Sequence, residues 1–396
     1  MPGMRRVLMA AGGTGGHIFP ALAVADELRA RWNNADASGP SGETRSRIEF
    51  IGTGRPLEQR LIPAAGYRLR NVVAAGLVGI GGWKKLQNLV VLPRSFIDAA
   101  SVLTEFQPDV VVGVGGYGAG PVMLQAALRD IPTLLIEPNA VPGFTNRLLA
   151  PVVRLAAVGF EAAVPFYGAK AVVTGHAIRR AFSQVPAKDH RPPFTVLILG
   201  GSQGAKVINE CVVKALTQFG PGADSLRWIH QTGEREYNRV REAYQGQERL
   251  MVEVIPFIDD VPGMLTRADV VVSRSGAASV AELAAAGKAS IFIPFAAAAE
   301  HHQSANAHAA EQAGAARVIE QSELTPERLV GEIWKLLDHL QALRKMEQCA
   351  RSWVRPGAAE RIADMVEDLA RGGSSGERPV ASGIVKNPLA AARRWS

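Results

Sequence analysis

The stretch RRVLMAAGGTGGHIFPALAVADELRARW, residues 5–32, contains the pattern that decides the fold. A short apolar run at 6–10 is followed by a glycine-rich turn and by alanine- and leucine-rich sequence at 20–31. This order predicts a strand, a turn and a helix, the first unit of a parallel α/β domain. Glycines let the backbone approach a ligand closely, and a helix N-terminus attracts phosphate. The turn is therefore a candidate phosphate-binding loop.

The same pattern begins again at residue 194, in FTVLILGGSQGAKVIN. It predicts a strand at 195–199, a glycine turn at 200–204 and a helix at 205–219. Between the halves, residues 181–193 contain three prolines and mixed charges, which is typical of an interdomain linker. Because 396 residues exceed one ordinary core, we predict an α/β protein with two Rossmann-like parallel-sheet domains. Further strands are predicted at 48–51, 110–113, 133–136, 171–173, 227–230, 251–256, 270–273 and 290–293.

The composition is that of a globular protein, with 47% hydrophobic and 20% charged residues. The formal charge of +7 favours an anionic partner, but the basic residues are dispersed and predict no nucleic-acid platform. Cys211 and Cys349 match no redox or zinc spacing and fit a reduced cytoplasm. No uncharged apolar stretch is long enough to cross a membrane, and Arg154 interrupts the best candidate, at 148–158. We therefore expect a cytoplasmic protein with at most peripheral membrane contact.

A second glycine turn in the first half, GVGGYGAGP at 113–121, also separates a predicted strand from a predicted helix. Two such turns suggest a ligand whose phosphates are held from two loops. His17 follows the first turn at a position that would face the interdomain cleft. A histidine there serves either as a catalytic base or as a capping or packing residue, and spacing alone does not separate these roles.

The segment RSGAASVAE, residues 274–282, is the most informative motif of the second half. It predicts a helix with Ser275 as N-cap and an end at Gly287. Residues 276–278 would present free N–H groups to a diphosphate, and Glu282 would share a face with Ser279 and accept ribose hydroxyls. The alternative is an ordinary capped helix with a solvated glutamate.

The segment EHHQSAN, residues 300–306, contains two histidines and a carboxylate that suggest a metal site. However, the spacing lacks H-E-x-x-H, and the residue four positions after His302 is Asn306, a poor metal ligand. We therefore predict no metal here, and expect polar groups that contact sugar hydroxyls.

The segment GLVGIGGWKK, residues 76–85, combines apolar side chains with lysines and glycines. Leu77, Ile80 and Trp83, beside Lys84 and Lys85, suit a membrane interface. A buried loop followed by a helix is the alternative interpretation.

Four of these motifs, together with PFIDD at 256–260, resemble one family. The sequences GGTGGHIFP, GVGGYGAGP, GGSQGA, PFIDD and RSGAASVAE are similar to those of the MurG family of peptidoglycan N-acetylglucosaminyltransferases, and they occur in the family's order. The resemblance extends from about residue 5 to 370. It implies a GT-B fold, with two Rossmann-like domains across a deep cleft and a last helix, at about 350–370, that returns to the first domain. The first domain (1–180) would face acceptor and membrane, 194–349 would bind the UDP-sugar, and 372–396 is predicted to be a disordered tail.

The resemblance also implies an activity. The enzyme would move N-acetylglucosamine from UDP-GlcNAc to the C4 hydroxyl of undecaprenyl-linked lipid I, with inversion, at an anionic membrane surface. It implies no cofactor and no metal, since the helix N-terminus stabilises the leaving UDP. His17 is the predicted base and Glu137 the alternative. The implied substrate-binding residues are Thr14, Gly15, Gly16, Asn139, Arg179, Ser202, Ile258, Ala277, Ala278, Ser279, Val280, Ala281, Glu282 and Gln303.

Within that resemblance, Thr14, Gly15, Gly16 and Asn139 would lie near the sugar. Arg179 and Ser202 would contact the diphosphate, and Ile258 the uracil. Other interpretations remain open: a diacylglycerol glycosyltransferase, a UDP-GlcNAc 2-epimerase, or a nucleotide-sugar-binding protein without catalysis.

Overall fold

A computed structural model describes residues 5–13, 15–36, 46–73, 82–116, 118–201, 204–215, 225–246, 251–296 and 302–372. Side chains are described in these ranges except at 34–36, 46 and 82–92. Several predictions therefore lie outside the described residues: those for Thr14, Ser202, Leu77, Ile80 and the tail from 373 onward. For Trp83, Lys84 and Lys85 only the backbone is described, and it is helical.

The first sheet is parallel and has the strand order β3-β2-β1-β4-β5-β6-β7 within the described residues. Its strands are β1 (Arg5–Ala11), β2 (Ser46–Gly52), β3 (Arg68–Asn71), β4 (Val110–Gly115), β5 (Thr133–Glu137), β6 (Leu155–Val158) and β7 (Ala171–Val173). The order reverses direction beside β1, so a crevice forms where β1 and β4 end.

The second sheet, also parallel, repeats this topology with the order β10-β9-β8-β11-β12-β13 in the part of the chain that is described. Its strands are β8 (Phe194–Leu199), β9 (Leu226–Gln231), β10 (Met251–Ile255), β11 (Val270–Ser273), β12 (Ala289–Phe292) and β13 (Ala316–Val318). The strand order reverses direction beside β8, the strand that precedes the glycine turn of the second domain. The two sheets confirm the predicted α/β fold with two Rossmann-like domains.

Helices cover both faces of each sheet, which explains why the central strands are buried along almost their whole length. They are α1 (Gly15–Asp36), α2 (Pro56–Ala64), α3 (Gly82–Phe106), α4 (Ala119–Leu128), α5 (Phe144–Leu149), α6 (Val164–Tyr167), α7 (Arg180–Ser183), α8 (Lys206–Ala215), α9 (Tyr237–Ala243), α10 (Val261–Arg267), α11 (Ala277–Ala285), α12 (His302–Gln312), α13 (Pro326–Leu337), α14 (Leu340–Trp353) and α15 (Ala358–Ala370). No described helix is long and apolar enough to span a bilayer.

The last helix, α15, packs on α1 of the first domain although it follows the whole second domain in the chain. Ile362, Val366 and Leu369 of α15 belong to the same buried cluster as Val7 and Leu28. At its edge, Glu367 accepts hydrogen bonds from the side chains of Arg5 and Trp32, over 2.9 and 2.8 Å. The first domain therefore completes its core with residues from a helix that follows the second domain in the chain.

Three differences from the predicted elements have a physical reason. The strands β3, β6 and β13 were not predicted; β3 alternates arginines with other residues, and β13 is a three-residue edge strand. The helix predicted to start at Pro20 begins five residues earlier and contains that proline, which has no N–H for the fourth carbonyl before it. Residues 181–193 are not a free linker, because Phe182 and Val185 are buried in the second domain.

Candidate active site

A cavity of about 590 Å³ lies between the two domains, at the ends of the strands where both sheets reverse direction. This is where open parallel sheets bind ligands. The walls of the cavity include His17, the predicted base, and most of the predicted substrate-binding residues that the structure describes. They are Gly15, Gly16, His17, Asn139, Arg179, Ile258, Ala277, Ala278, Ser279, Glu282 and Gln303.

The first glycine turn, between β1 and α1, is held in place by a buried carboxylate. Oε1 of Glu58 accepts the backbone N–H of Gly13 over 2.6 Å, and Oε2 accepts that of Thr53 over 2.7 Å. The hydroxyl of Thr53 and the N–H of Arg55 also donate to this carboxylate, over 3.0 and 3.2 Å. Since Gly13 has φ +99°, the turn needs glycine there. Glu58 therefore fixes the turn from outside it.

The second glycine turn of this domain packs directly against the first. A Cβ added to Gly116 would lie 2.5 Å from the carbonyl oxygen of Gly12, so only glycine permits the approach. A Cβ added to Gly115 would lie 3.2 Å from Nε2 of His17. The two turns and this imidazole thus form one continuous wall of the cavity.

His17 lies in the first turn of α1, with Nδ1 3.1 Å from the carbonyl oxygen of Gly12. Because a carbonyl oxygen only accepts hydrogen bonds, this contact places the proton on Nδ1 and makes Nε2 the basic nitrogen. Burial lowers the pKa of His17 to about 4; the Gly12 bond opposes this, and the charges of His302 and Arg55 add to it. The imidazole is therefore neutral at neutral pH, as a base must be.

Glu137, the alternative base, ends β5 and is fully buried. Oε1 accepts both the backbone N–H and the side-chain amide of Asn139, over 2.8 and 3.1 Å. Oε2 accepts the amide of Asn146 over 2.7 Å and the hydroxyl of Tyr167 over 3.2 Å. Burial raises the pKa of Glu137, and these four donors oppose that shift. Both oxygens of Glu137 are therefore occupied by donors, two of them from Asn139.

Arg179 and Glu282 pair with each other across the cavity. Nη2 of Arg179 lies 3.1 Å from Oε1 of Glu282, and the guanidinium lies between the rings of Phe19 and Phe182, 4.5 and 4.7 Å from their centroids. Burial raises the pKa of Glu282 to about 7, although Arg179 lowers it. The predicted diphosphate contact and the predicted ribose contact are therefore adjacent.

The N-terminus of α11 opens into the cavity, and no side chain of the described residues caps it. Its N-cap is Gly276, so the prediction of Ser275 was wrong: the hydroxyl of Ser275 instead donates to the carbonyl of Gln303 over 2.9 Å. An uncapped helix N-terminus favours an anion through its N–H groups and dipole. The side chains of Val280 and Ala281, two predicted substrate residues, are buried and do not line the cavity.

Gln231 at the end of β9 holds the glycine turn of the second domain. Its Oε1 accepts the N–H of Gly201 over 2.9 Å, and its Nε2 donates to the carbonyls of Gly201 and Pro256 over 2.9 and 3.1 Å. Pro256 precedes the loop that carries Ile258, the predicted uracil contact. Gln303 lines the same side of the cavity, and its Oε1 accepts the N–H of Phe295 over 3.0 Å.

Sequence reasoning missed three residues that organise this site: Glu58, Gln231 and Asn306. Asn306 on α12 bonds to Ala140 and Asn139 of the first domain and to Ser275 of its own. Only Glu58 had a local signal, because a carboxylate in the first turn of a helix is a common backbone acceptor. Within the described ranges, no cluster of three or more histidine, cysteine, aspartate or glutamate residues could hold a metal ion.

Comparison with known proteins identifies relatives over nearly the whole chain. The glycosyltransferase family 28 N-terminal domain matches residues 7–158, and the glycosyltransferase family 28 C-terminal domain matches residues 195–369. A protein from Myxococcus xanthus (strain DK1622) is 42% identical over 369 residues, covering 92% of this chain and 93% of the relative. It is named UDP-N-acetylglucosamine--N-acetylmuramyl-(pentapeptide) pyrophosphoryl-undecaprenol N-acetylglucosamine transferase.

Solved structures also include proteins similar to this chain. MurG from Acinetobacter baumannii aligns with a TM-score of 0.71 and 31% identity, over 92% of this chain and 99% of that one. A putative UDP-N-acetylglucosamine 2-epimerase from Listeria monocytogenes aligns with a TM-score of 0.68 but 15% identity, over 96% and 99% of the chains. The second likeness shows a shared fold alone.

Proposed function

The chain belongs to glycosyltransferase family 28, and on this premise we propose that it transfers N-acetylglucosamine from UDP-GlcNAc to the C4 hydroxyl of the muramyl sugar of lipid I, which forms lipid II. The observation that carries the proposal is the match, at 42% identity and over 93% of its length, to a relative named for this reaction. The interdomain cavity, with an uncapped helix N-terminus on one side and His17 on the other, is consistent with it.

The second domain would bind the donor. The N-terminus of α11 faces the cavity where negative charge develops on the leaving UDP, so its N–H groups would be worth most in the transition state. Glu282, about two turns along this helix, would accept ribose hydroxyls, and Ile258 would contact the uracil. Arg179 would exchange part of its contact with Glu282 for the diphosphate.

The first domain would supply the base. Nε2 of His17 would take the proton of the acceptor hydroxyl while that oxygen attacks the anomeric carbon and the bond from this carbon to UDP breaks, inverting α to β. A neutral imidazole is required, and a pKa near 4 ensures it. Asn139, oriented by Glu137, would contact the sugar being transferred.

The test is a transfer assay with the full chain, labelled UDP-GlcNAc and lipid I in detergent, followed by extraction into organic solvent. We expect label in the lipid phase only when lipid I is present. Diacylglycerol in place of lipid I is the matched control for acceptor identity. A free epimerised sugar without any lipid, or label on diacylglycerol, would replace this proposal with one of the other two activities.

We further propose that the protein acts at the cytoplasmic face of the plasma membrane as a peripheral protein. The helix α5 supports this, because Phe144 and Leu148 are exposed apolar residues one turn apart and Phe144 also lines the cavity. Val152 continues the exposed apolar surface. Such residues gain roughly 25 cal/mol per Å² on entering a headgroup layer. The predicted contribution of residues 77–85 would add apolar contacts and about 1 kcal/mol per lysine on an anionic leaflet.

Sedimentation with anionic vesicles tests the membrane proposal. The double changes Phe144→Ser with Leu148→Ser, and Ile80→Ser with Trp83→Ser, should each reduce the bound fraction while UDP affinity is kept. Met251→Ser, at an exposed apolar position of the second domain, is the matched control and should bind vesicles like the parent. Parent-like binding by both double variants would contradict attachment through this domain.

A further inference from the structure

Asn306 is a fully buried polar residue that bonds across the domain boundary. Its Oδ1 accepts the backbone N–H of Ala140 in the first domain over 2.9 Å. Its Nδ2 donates to Oδ1 of Asn139, also in the first domain, over 3.2 Å, and to the carbonyl of Ser275 over 3.3 Å. Both hydrogens of the amide and its oxygen are therefore engaged.

The contacts of Asn306 continue on both sides into the candidate active site. On the first-domain side, Asn139 is oriented by Glu137 through its backbone and side-chain N–H groups. On the second-domain side, Ser275 immediately precedes Gly276, the N-cap of α11. The series Glu137–Asn139–Asn306–Ser275 thus joins the end of β5 to the expected diphosphate site, although Asn306 does not line the cavity.

Another contact between the domains is of a different kind. Arg60 and Asp259 form an ion pair over 2.9 Å, but their side chains are 55% and 83% exposed. Such pairs contribute little, because water competes for both charges. Ala140 and Ser275 are buried, so their N–H and carbonyl groups have no such competition while the domains are together and depend on the amide of Asn306, whereas Asn139 also lines the cavity.

We propose that Asn306 is a positioning residue that latches the two domains in the arrangement needed for transfer. When the cleft opens, water can hydrate Ala140 N–H, Asn139 Oδ1 and the Ser275 carbonyl. When it is closed, Asn306 satisfies all three and sets the distance between Asn139 and the N-terminus of α11. The expected loss of transfer rests on the proposed function. The closure of the cleft by Asn306 does not depend on which reaction the protein catalyses.

Two substitutions test the latch. Asn306→Ala leaves two buried groups, the N–H of Ala140 and the carbonyl of Ser275, without this partner in the closed form only, so it should shift the population toward the open form. Asn306→Asp keeps the acceptor for Ala140 but places an oxygen against two acceptors, and it should shift the population in the same direction. Small-angle X-ray scattering of the full chain without ligand should show a larger radius of gyration for both variants than for the parent.

Kinetics provide the second readout. The UDP contacts lie in the second domain and at Arg179, so calorimetry should give a UDP affinity within about threefold of the parent. With both substrates saturating, kcat should fall at least about tenfold, which corresponds to ~1.4 kcal/mol. Substitution of a residue needed only for folding would not lower kcat while leaving UDP affinity nearly unchanged.

Asn209→Asp is the matched control, because Asn209 is also fully buried in the second domain but bonds only within it, to His230 and Thr232. It should lower the unfolding temperature and leave the radius of gyration unchanged. If the Asn306 variants do not fold, Asn139→Ala tests the same bond from the first domain by scattering alone. An unchanged radius of gyration in folded variants overturns the latch. A parent that closes normally but transfers nothing to lipid I overturns the proposed function instead.

Discussion

The glycine turns that open the two domains have the same place in the topology but are held by chemically different side chains. The first turn is fixed by the carboxylate of Glu58, which accepts four hydrogen bonds from N–H and O–H groups. The second is fixed by the amide of Gln231, which accepts one hydrogen bond and donates two. The two domains therefore share a topology but differ in the charge behind their first glycine turn. A formal negative charge lies behind the turn that precedes His17, and a neutral amide lies behind the turn expected to face UDP.

This contrast predicts that kcat depends on the first domain's turn, whereas UDP affinity depends on the second domain. The sharpest test is His17→Ala, which should lower kcat by ~10²–10⁴-fold, the usual contribution of a general base, and leave UDP affinity nearly unchanged. In the parent, kcat should be constant through neutral pH and fall only as the pH approaches 4, where the imidazole becomes protonated. A collapse of donor affinity with normal turnover at saturation would reverse the assignment and make His17 a binding residue.

The corresponding test of the second domain is Glu282→Ala. Loss of a charged acceptor for ribose hydroxyls should weaken UDP binding by about 1.5–3 kcal/mol, measured by calorimetry. Since burial raises the pKa of Glu282 to about 7, the parent should bind UDP more weakly as the pH falls through this value and the carboxylate is protonated.

Glu282→Gln is the control for this pH dependence, because UDP titrates in its own right. The isosteric amide should remove the part of the pH dependence that belongs to the protein and keep the part that belongs to the nucleotide. Equal profiles for Glu282→Gln and the parent would mean that Glu282 does not bind the ribose as a carboxylate.

The smallest expected effects come from exchanging the two supporting side chains. Glu58→Gln places an N–H₂ group against donors, whereas Gln231→Glu places an oxygen against the carbonyls of Gly201 and Pro256. Each change removes two hydrogen bonds with a net value of roughly 1 kcal/mol each, and only part of this loss should reach the binding or kinetic parameter. The effect of Gln231→Glu should be on UDP affinity, and that of Glu58→Gln on kcat. If both changes affect the same parameter, the two turns are functionally equivalent and the comparison fails.

Local patterns were enough to predict the two sheets, because each strand, glycine turn and helix lies within about thirty residues and has its own periodicity. The same holds for the N-terminus of α11, where the helix was placed correctly and only its N-cap was shifted from Ser275 to Gly276. Among the short edge strands, β7 (AVV) is apolar and β-branched and was predicted, whereas arginines interrupt the apolar pattern in β3 (RLRN) and β13 (ARV).

The contacts that organise the site could not be predicted in this way. Asn306 and Ala140 are 166 residues apart, and Arg179 and Glu282 are 103 apart. Such pairs are brought together by the packing of two domains. The sequence near each residue therefore does not indicate which distant residue it contacts. The histidines of the motif that includes Asn306 suggest metal ligands, whereas the amide of Asn306 contacts Ala140 and Asn139 in the other domain.

The return of α15 to the first domain affects the order in which the protein can mature on the ribosome. In chain order, the second domain is an insertion between β7 and the helix that completes the first domain's core. N-terminal domains usually fold while the rest of the chain is being synthesised. Here the surface that receives Ile362, Val366 and Leu369 stays uncovered until the second domain has been synthesised, so the first domain cannot complete its core before the second domain has left the ribosome.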